Sequence, residues 1–161
     1  MKDVPLAYLE LSKNNLIFNI KQFKKLAKTG TKFAVVIKGN AYGHGQNEVA
    51  KILEPYADYF QVDGTEELQE LRKVSKKKVL MLGYVQKSDL RKAMELGCVL
   101  SVFSFKQLIT ISAIAKNVMK AQEIHLPVDA HLGREGFLLK DLPRVLEKIK
   151  KVKNIKLTGI Y

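Results

Sequence analysis

Phe33-Ala-Val-Val-Ile-Lys-Gly-Asn-Ala-Tyr-Gly-His-Gly45 is the stretch from which the rest of the chain can be read. Phe33 to Ile37 is a short apolar run, β-branched at Val35, Val36 and Ile37. Such a run predicts a strand buried on both faces, as in a parallel sheet covered by helices. Lys38 follows directly and enters a loop that holds Gly39, Gly43 and Gly45, with Tyr42 among them. An amine leaving an apolar wall is partly desolvated, which disfavours its charged form and makes it a better nucleophile. Glycines beside it let the backbone approach a bound group closely.

Outward from this stretch the chain alternates between strand and helix. Tyr8 to Leu11 is strand-like, and Ser12 can cap a helix whose stripe of Leu16, Ile20, Phe23 and Leu26-Ala27 faces a core. Gly30 suits a left-handed turn after that helix. A helix is predicted over Asn47 to Leu53, a strand over Tyr59 to Val62, and a helix capped by Thr65 with Glu66 and Glu67 in its first turn. Val79 to Leu82 reads as a strand ending at Gly83, Ser88 as the cap of a helix through Leu96, and Val99 to Phe103 as a strand. A helix around Gln107 to Met119 and a strand over Ile124 to Val128 follow. Asp141 caps a helix with Pro143 in its first turn, and Ile155 to Ile160 is a last strand before Tyr161. This rhythm means right-handed βαβ units and a parallel sheet. The predicted fold is α/β, a parallel (β/α) barrel of the TIM type that is incomplete, with about six of its eight units, because a closed barrel needs about 250 residues. A smaller open sheet is the alternative.

With 161 residues and 47% hydrophobic content, the chain can build one domain with a real core. The net charge is +12, from 28 basic and 16 acidic residues, so nucleic acid is a partner to consider. The basic residues cluster at Arg72-Lys73, Lys76 to Lys78 and Lys148 to Lys153, at helix ends and in loops, without interleaved aromatic rings to stack bases. Solvated helix faces explain them better than nucleic acid does. A single cysteine, Cys98, excludes an intrachain disulfide and fits a reducing compartment. His44, His125 and His131 lack metal-ligand spacing, so no metal is expected. No apolar signal core or membrane-length run stands in the sequence, and the chain reads as cytoplasmic with no membrane partner.

In an α/β barrel the chemistry sits at the C-terminal ends of the strands. Three segments lie there. Lys38 is the first: amines so placed form Schiff bases, most often with pyridoxal phosphate, although most lysines after a strand are solvated loop residues. The second is Asp129-Ala-His-Leu-Gly-Arg-Glu-Gly-Phe137, in which Arg134 lies between Gly133 and Gly136. An arginine there can stabilise an oxyanion or carboxylate, or be a plain surface residue in a turn. The third is Thr158-Gly-Ile-Tyr161.

Val35-Val-Ile-Lys-Gly-Asn-Ala-Tyr-Gly-His-Gly45 closely resembles the cofactor-lysine signature of the alanine racemases. Asp129, Gly133, Arg134, Gly136 and Phe137 match that family's second signature, and Gly159-Ile-Tyr161 the start of a Gly-x-Tyr-Thr/Ser-His-Phe segment. The first helix and Val62-Asp-Gly-Thr-Glu-Glu-Leu-Gln-Glu-Leu-Arg72 are similar as well, so the resemblance runs over essentially the whole chain. It implies a Schiff base between Lys38 and pyridoxal 5'-phosphate, with Tyr42 at the phosphate and Arg134 at the phenolic oxygen. Lys38 is then also a catalytic base, serving the D-alanine face. The second base, a tyrosine, belongs to a C-terminal β domain that this chain lacks, and residues 1–161 are expected to be the N-terminal portion of the cofactor-binding barrel. The implied function is interconversion of L- and D-alanine for peptidoglycan precursors, by a homodimer, with the 161-residue chain inactive alone. Pro127 stands where many relatives carry a lysine that braces the arginine, and Ala130-His131-Leu132 replaces a Thr/Ser-Gly-Met run. A barrel that binds pyridoxal phosphate without racemising, and a racemase for another amino acid such as serine or lysine, are the competing functions.

Overall fold

The computed structural model describes residues 7–118 and 121–161. Six parallel strands form one sheet: β1 (Ala34–Val36), β2 (Tyr59–Val62), β3 (Lys78–Met81), β4 (Val99–Ser101), β5 (Gln122–Leu126) and, after two short strands described below, β8 (Ile155–Ile160). They pair in the order β1-β2-β3-β4-β5-β8, so β1 and β8 are the two edges. Helix α1 (Lys13–Leu26) precedes β1, and helices α3 (Gln46–Leu53), α4 (Thr65–Arg72), α5 (Lys87–Glu95), α6 (Phe105–Ala115) and α7 (Leu142–Lys150) connect the strands. The short α2 (Lys38–Tyr42) follows β1 directly. This is the predicted α/β barrel architecture, open between β1 and β8.

The core lies between the sheet and the helices. Phe60, Val62, Met81, Leu100, Ile124 and Leu126 reach it from the strands, and Leu68, Leu71, Leu90, Leu108, Ile111 and Val145 from the helices. In β5 the alternation is plain: Gln122, Ile124 and Leu126 are buried, while Glu123 and His125 point to the opposite face. That face carries an ionic layer. Glu123 pairs with Lys78 from β3 and lies 3.8 Å from Lys156 of β8, and the Lys78 ammonium sits 5.5 Å over the Tyr59 ring. Lys78, predicted as a solvated lysine, is therefore a strand residue with partners; its hydrogen bond to Glu123 raises its pKa.

Several boundaries differ from the sequence reading. Residues 8–11 form no strand. β1 is shorter than Phe33–Ile37 and only half-buried, because it is an edge strand; Ile37 alone is fully enclosed. Helix α1 is capped by Ser12 as predicted, yet only the Leu16 and Ile20 part of its stripe packs, whereas Phe23 and Leu26 remain exposed beside the edge of the sheet. Gly64 and Gln86, not Thr65 and Ser88, occupy the caps of α4 and α5, and Thr65 is buried. α6 is capped by Ser104; its predicted end at Met119 lies outside the described residues. Asp141 precedes α7 without a side-chain capping bond.

At the N-terminal end of the sheet Arg72 has a structural role that its place among helix-end basic residues concealed. Its guanidinium donates to the carbonyls of Leu96 (2.8 Å), Gly97 (2.8 Å) and Lys77 (2.9 Å), joining the loops that lead into β3 and β4. Desolvation lowers its pKa, partly offset by Cys98, and burial pushes the Cys98 thiol up to about 12, so that thiol is inert. Removing the guanidinium strands half-buried carbonyls. Arg72→Ala is expected to lower stability by about 2 to 3 kcal/mol, read as a fall in urea midpoint at constant slope, and Arg72→Lys to restore little of it.

Candidate active site

Because all six strands run parallel, Lys38, Asp63 and Tyr161 leave β1, β2 and β8 at the same end, where Pro127 leaves β5 and leads to Asp129. Lys38 is the first residue past Ile37, whose amide donates to Gln61 of β2 at 2.9 Å. The four residues after it are unusual. Gly39, Asn40, Ala41 and Tyr42 all have φ between 53° and 59°, one turn of left-handed helix. For L-residues this conformation costs roughly 1 to 2 kcal/mol each, and runs of it are rare. The sequence predicted a glycine-rich loop, and only the first of the four is glycine.

The turn is held by its surroundings. Ala41 is buried and donates its amide to Ile37 at 2.8 Å. The amides of Gly43 and Gly45 return to the carbonyls of Gly39 and Asn40 at 3.1 and 3.0 Å. Asn40, the non-glycine type best suited to this region, accepts the Gln46 amide on its side chain at 2.9 Å. Glu67, from the first turn of α4, accepts the Gly39 amide at 2.6 Å and the Asp63 amide at 2.7 Å.

The Lys38 amine lies 3.3 Å from the Asp63 carboxylate, and its side chain is 31% exposed. The expected apolar, desolvated lysine is thus corrected: edge strand β1 leaves one side open, and an acidic partner faces the amine. Asp63 itself is set by close packing, since a Cβ on Gly83 would come within 2.2 Å of the Asp63 carbonyl oxygen. Tyr42 is exposed on the same turn.

Arg134 is carried by the loop between β6 (Val128–Asp129) and β7 (Phe137–Leu138), which pair with each other. Asp129 shapes this loop by accepting the amides of Leu132 and Gly133 at 2.8 and 3.0 Å, and Phe137 anchors it edge-on against Phe105. His131 adopts φ 70° and is exposed, which accounts for a glycine being suited to that position. The Arg134 guanidinium donates twice to its neighbour Glu135, at 2.7 and 2.8 Å. Those bonds hold the Glu135 carboxyl below its usual range, with a smaller contribution from the Lys38 charge. Pro127, Asp129, Arg134 and Tyr161 line one pocket.

Tyr161 follows β8 at the strand ends, where the sequence places it. Its hydroxyl lies 2.9 Å from Ser101, whose own proton goes to the Met81 carbonyl at 2.6 Å, so the phenol donates to Ser101. Gly159 is required by His125: a Cβ there would meet the imidazole at 2.6 Å. The sequence reading gives Asp63, Glu67, Ser101 and His125 no place in the site.

The residues fit the cofactor that the first signature implies. A reachable primary amine, a guanidinium and two tyrosyl hydroxyls lie at one end of the sheet, and the ion pairs of Lys38 with Asp63 and of Arg134 with Glu135 are solvent-screened and weak. The chain matches the family "Alanine racemase, N-terminal domain" over residues 11–161. It belongs to the alanine racemase family. It is 36% identical to alanine racemase of Methanococcus maripaludis over 146 residues, 89% of this chain and 39% of that one. Alanine racemase 2 of Caldanaerobacter subterraneus subsp. tengcongensis is 34% identical over 95% of this chain and 40% of its own length. The solved alanine racemase of Clostridium difficile 630 superposes with a TM-score of 0.85 at 32% identity, over 91% of this chain and 39% of that one. The chain thus spans about two fifths of the alanine racemases it matches.

His125 supplies a pH test of this packing. Burial first, and then the Lys78 charge, lower its pKa below the ordinary histidine value. The unfolded chain takes up that proton at about pH 6.5 while the folded chain resists it, so stability is full above that value and lost as pH falls towards the folded pKa. The urea midpoint is expected to fall between about pH 7 and about pH 5.5, and His125→Gln to flatten that fall. An unchanged slope would contradict the assignment.

Proposed function

We propose that the chain is the N-terminal part of the cofactor-binding barrel of a pyridoxal-phosphate-dependent alanine racemase, with a C-terminal β domain elsewhere in the longer protein. The observation that carries this is Lys38, presented at the end of β1 by a left-handed turn, at the same end of the parallel sheet as the loop that carries Arg134. Lys38 would hold pyridoxal 5'-phosphate, Tyr42 would meet its phosphate and Arg134 its phenolic oxygen. When bound, that cofactor supplies an electron sink for charge developing at the substrate Cα. The part of this chain is to hold and move protons. The Lys38 amine takes or returns the Cα proton on the D-alanine face, and Asp63, already 3.3 Å away, offers a carboxylate to its charged form. Arg134, now in an exposed pair with Glu135, would be available to hold the phenolic oxygen through a charge-assisted bond. Pro127 has no charged group to brace that arginine, which here leans on Glu135 instead.

The opposite face of Cα requires a base that this chain does not contain, so the longer protein would racemise alanine, as a homodimer, in the cytoplasm, towards peptidoglycan precursors. Two measurements test the reading. Borohydride reduction after incubation with pyridoxal phosphate is expected to label Lys38; label on other lysines with Lys38 unmodified would refute it. In the longer protein Lys38→Ala is expected to abolish racemisation, while the 161-residue chain alone should fall short of the full rate by about 10²-fold or more, because one proton transfer lacks its partner. A labelled Lys38 in a longer protein that does not racemise alanine would favour a binding barrel or a racemase for another amino acid.

A further inference from the structure

We infer that Glu67 is a positioning residue for Lys38: its single carboxylate clamps the backbone of the lysine turn to the end of β2 and so fixes the direction of the amine. The inference rests on the proposed role of Lys38. The Glu67 side chain is partly buried, and its two oxygens are divided between two elements. One accepts the amide of Asp63, the residue just before the Gly64 cap of α4, at 2.7 Å. That half resembles the reciprocal bond by which an acidic residue in a first helical turn satisfies the chain entering the helix. The other oxygen does something a helix cap does not require. It reaches the Gly39 amide at 2.6 Å, 28 residues earlier in sequence, on the first residue of the left-handed turn.

The consequence follows from geometry. Lys38 and Asp63 are joined at their side chains by the 3.3 Å ion pair, and the amides of Gly39 and Asp63 are joined through Glu67. The backbones that carry the amine and its acidic partner are thus joined by one carboxylate. The opposite end of the clamp is fixed too. The Glu67 carbonyl accepts the side-chain amide of the buried Gln46 at 2.7 Å, and the Gln46 main-chain amide closes onto Asn40 within the same turn. Three non-glycine residues in a left-handed turn need such support, since without it each would relax to right-handed or extended backbone. When the turn relaxes, Lys38 keeps its place in sequence but loses its aim.

Only a carboxylate satisfies both amides. An amide side chain of the same shape has one accepting oxygen, and its NH₂ group faces the second N–H donor donor-to-donor. Glu67→Gln is therefore the informative variant, because it preserves volume while breaking one arm of the clamp. In the 161-residue chain two readouts are taken: hydrogen exchange at the Gly39 and Asp63 amides, and the share of borohydride-fixed pyridoxal phosphate carried by Lys38 relative to all other lysines. Wild-type protein is expected to protect both amides. Glu67→Gln is expected to speed exchange at one or both by about tenfold or more, and to reduce the Lys38 share of label by a similar factor, while the other lysines label as before. A variant that labels Lys38 as selectively as wild type would overturn the inference, as would unprotected Gly39 and Asp63 amides in the wild-type protein, a result that does not depend on the variant folding. Wild-type protein with protected amides but no label on Lys38 would instead refute the cofactor role and leave a clamp without that purpose, overturning the inference as a positioning claim.

Discussion

One left-handed turn, Gly39 to Tyr42, is the constraint on which the candidate site depends. Three of its four residues have side chains, and the cost of holding them there is on the order of 3 to 6 kcal/mol. That is a large share of the net stability of an ordinary domain, about 5 to 15 kcal/mol. It persists because the neighbours over-determine it: a buried Ala41, returning amides from Gly43 and Gly45, an asparagine whose side chain holds the next helix, and the Glu67 carboxylate on the leading amide. The turn converts the end of a strand into a mount for an amine.

The electrostatics divide by depth. At the N-terminal end of the sheet Arg72 is committed, half-buried and saturated by carbonyls, and serves stability. At the C-terminal end Lys38 and Arg134 are paired with exposed carboxylates from residues close to them, and such pairs are easily exchanged for a ligand's charges. A barrel whose bottom is locked and whose top is held by weak ion pairs has its reactive groups where loops converge.

The alternation of strands and helices made the parallel sheet legible, and the last strand, Ile155–Ile160, falls where the sequence placed it. Lys38, Arg134 and Tyr161 were legible as strand-end residues because parallel order alone puts them together. What was hidden depends on partners far apart in sequence. Glu67 reads as a helix-dipole residue until Gly39 is seen beside it. Arg72 reads as a solvated helix end until the β3 and β4 loops close around it. Val35 and Val36 read as doubly buried, since composition does not tell an edge strand from a central one. The left-handed turn itself carries a weak signal, one glycine and one asparagine followed by Ala41 and Tyr42, neither of which favours positive φ.

The central claim is that Lys38 and Arg134 address one bound molecule. A crystal structure of the borohydride-reduced pyridoxal phosphate adduct tests it most directly. The account predicts the pyridoxyl group attached to Lys38, its phenolic oxygen within hydrogen-bond distance of an Arg134 guanidinium that has left Glu135, and residues 39–42 still left-handed. A pyridoxyl group on Lys38 turned to solvent, with Arg134 still bound to Glu135, would contradict it.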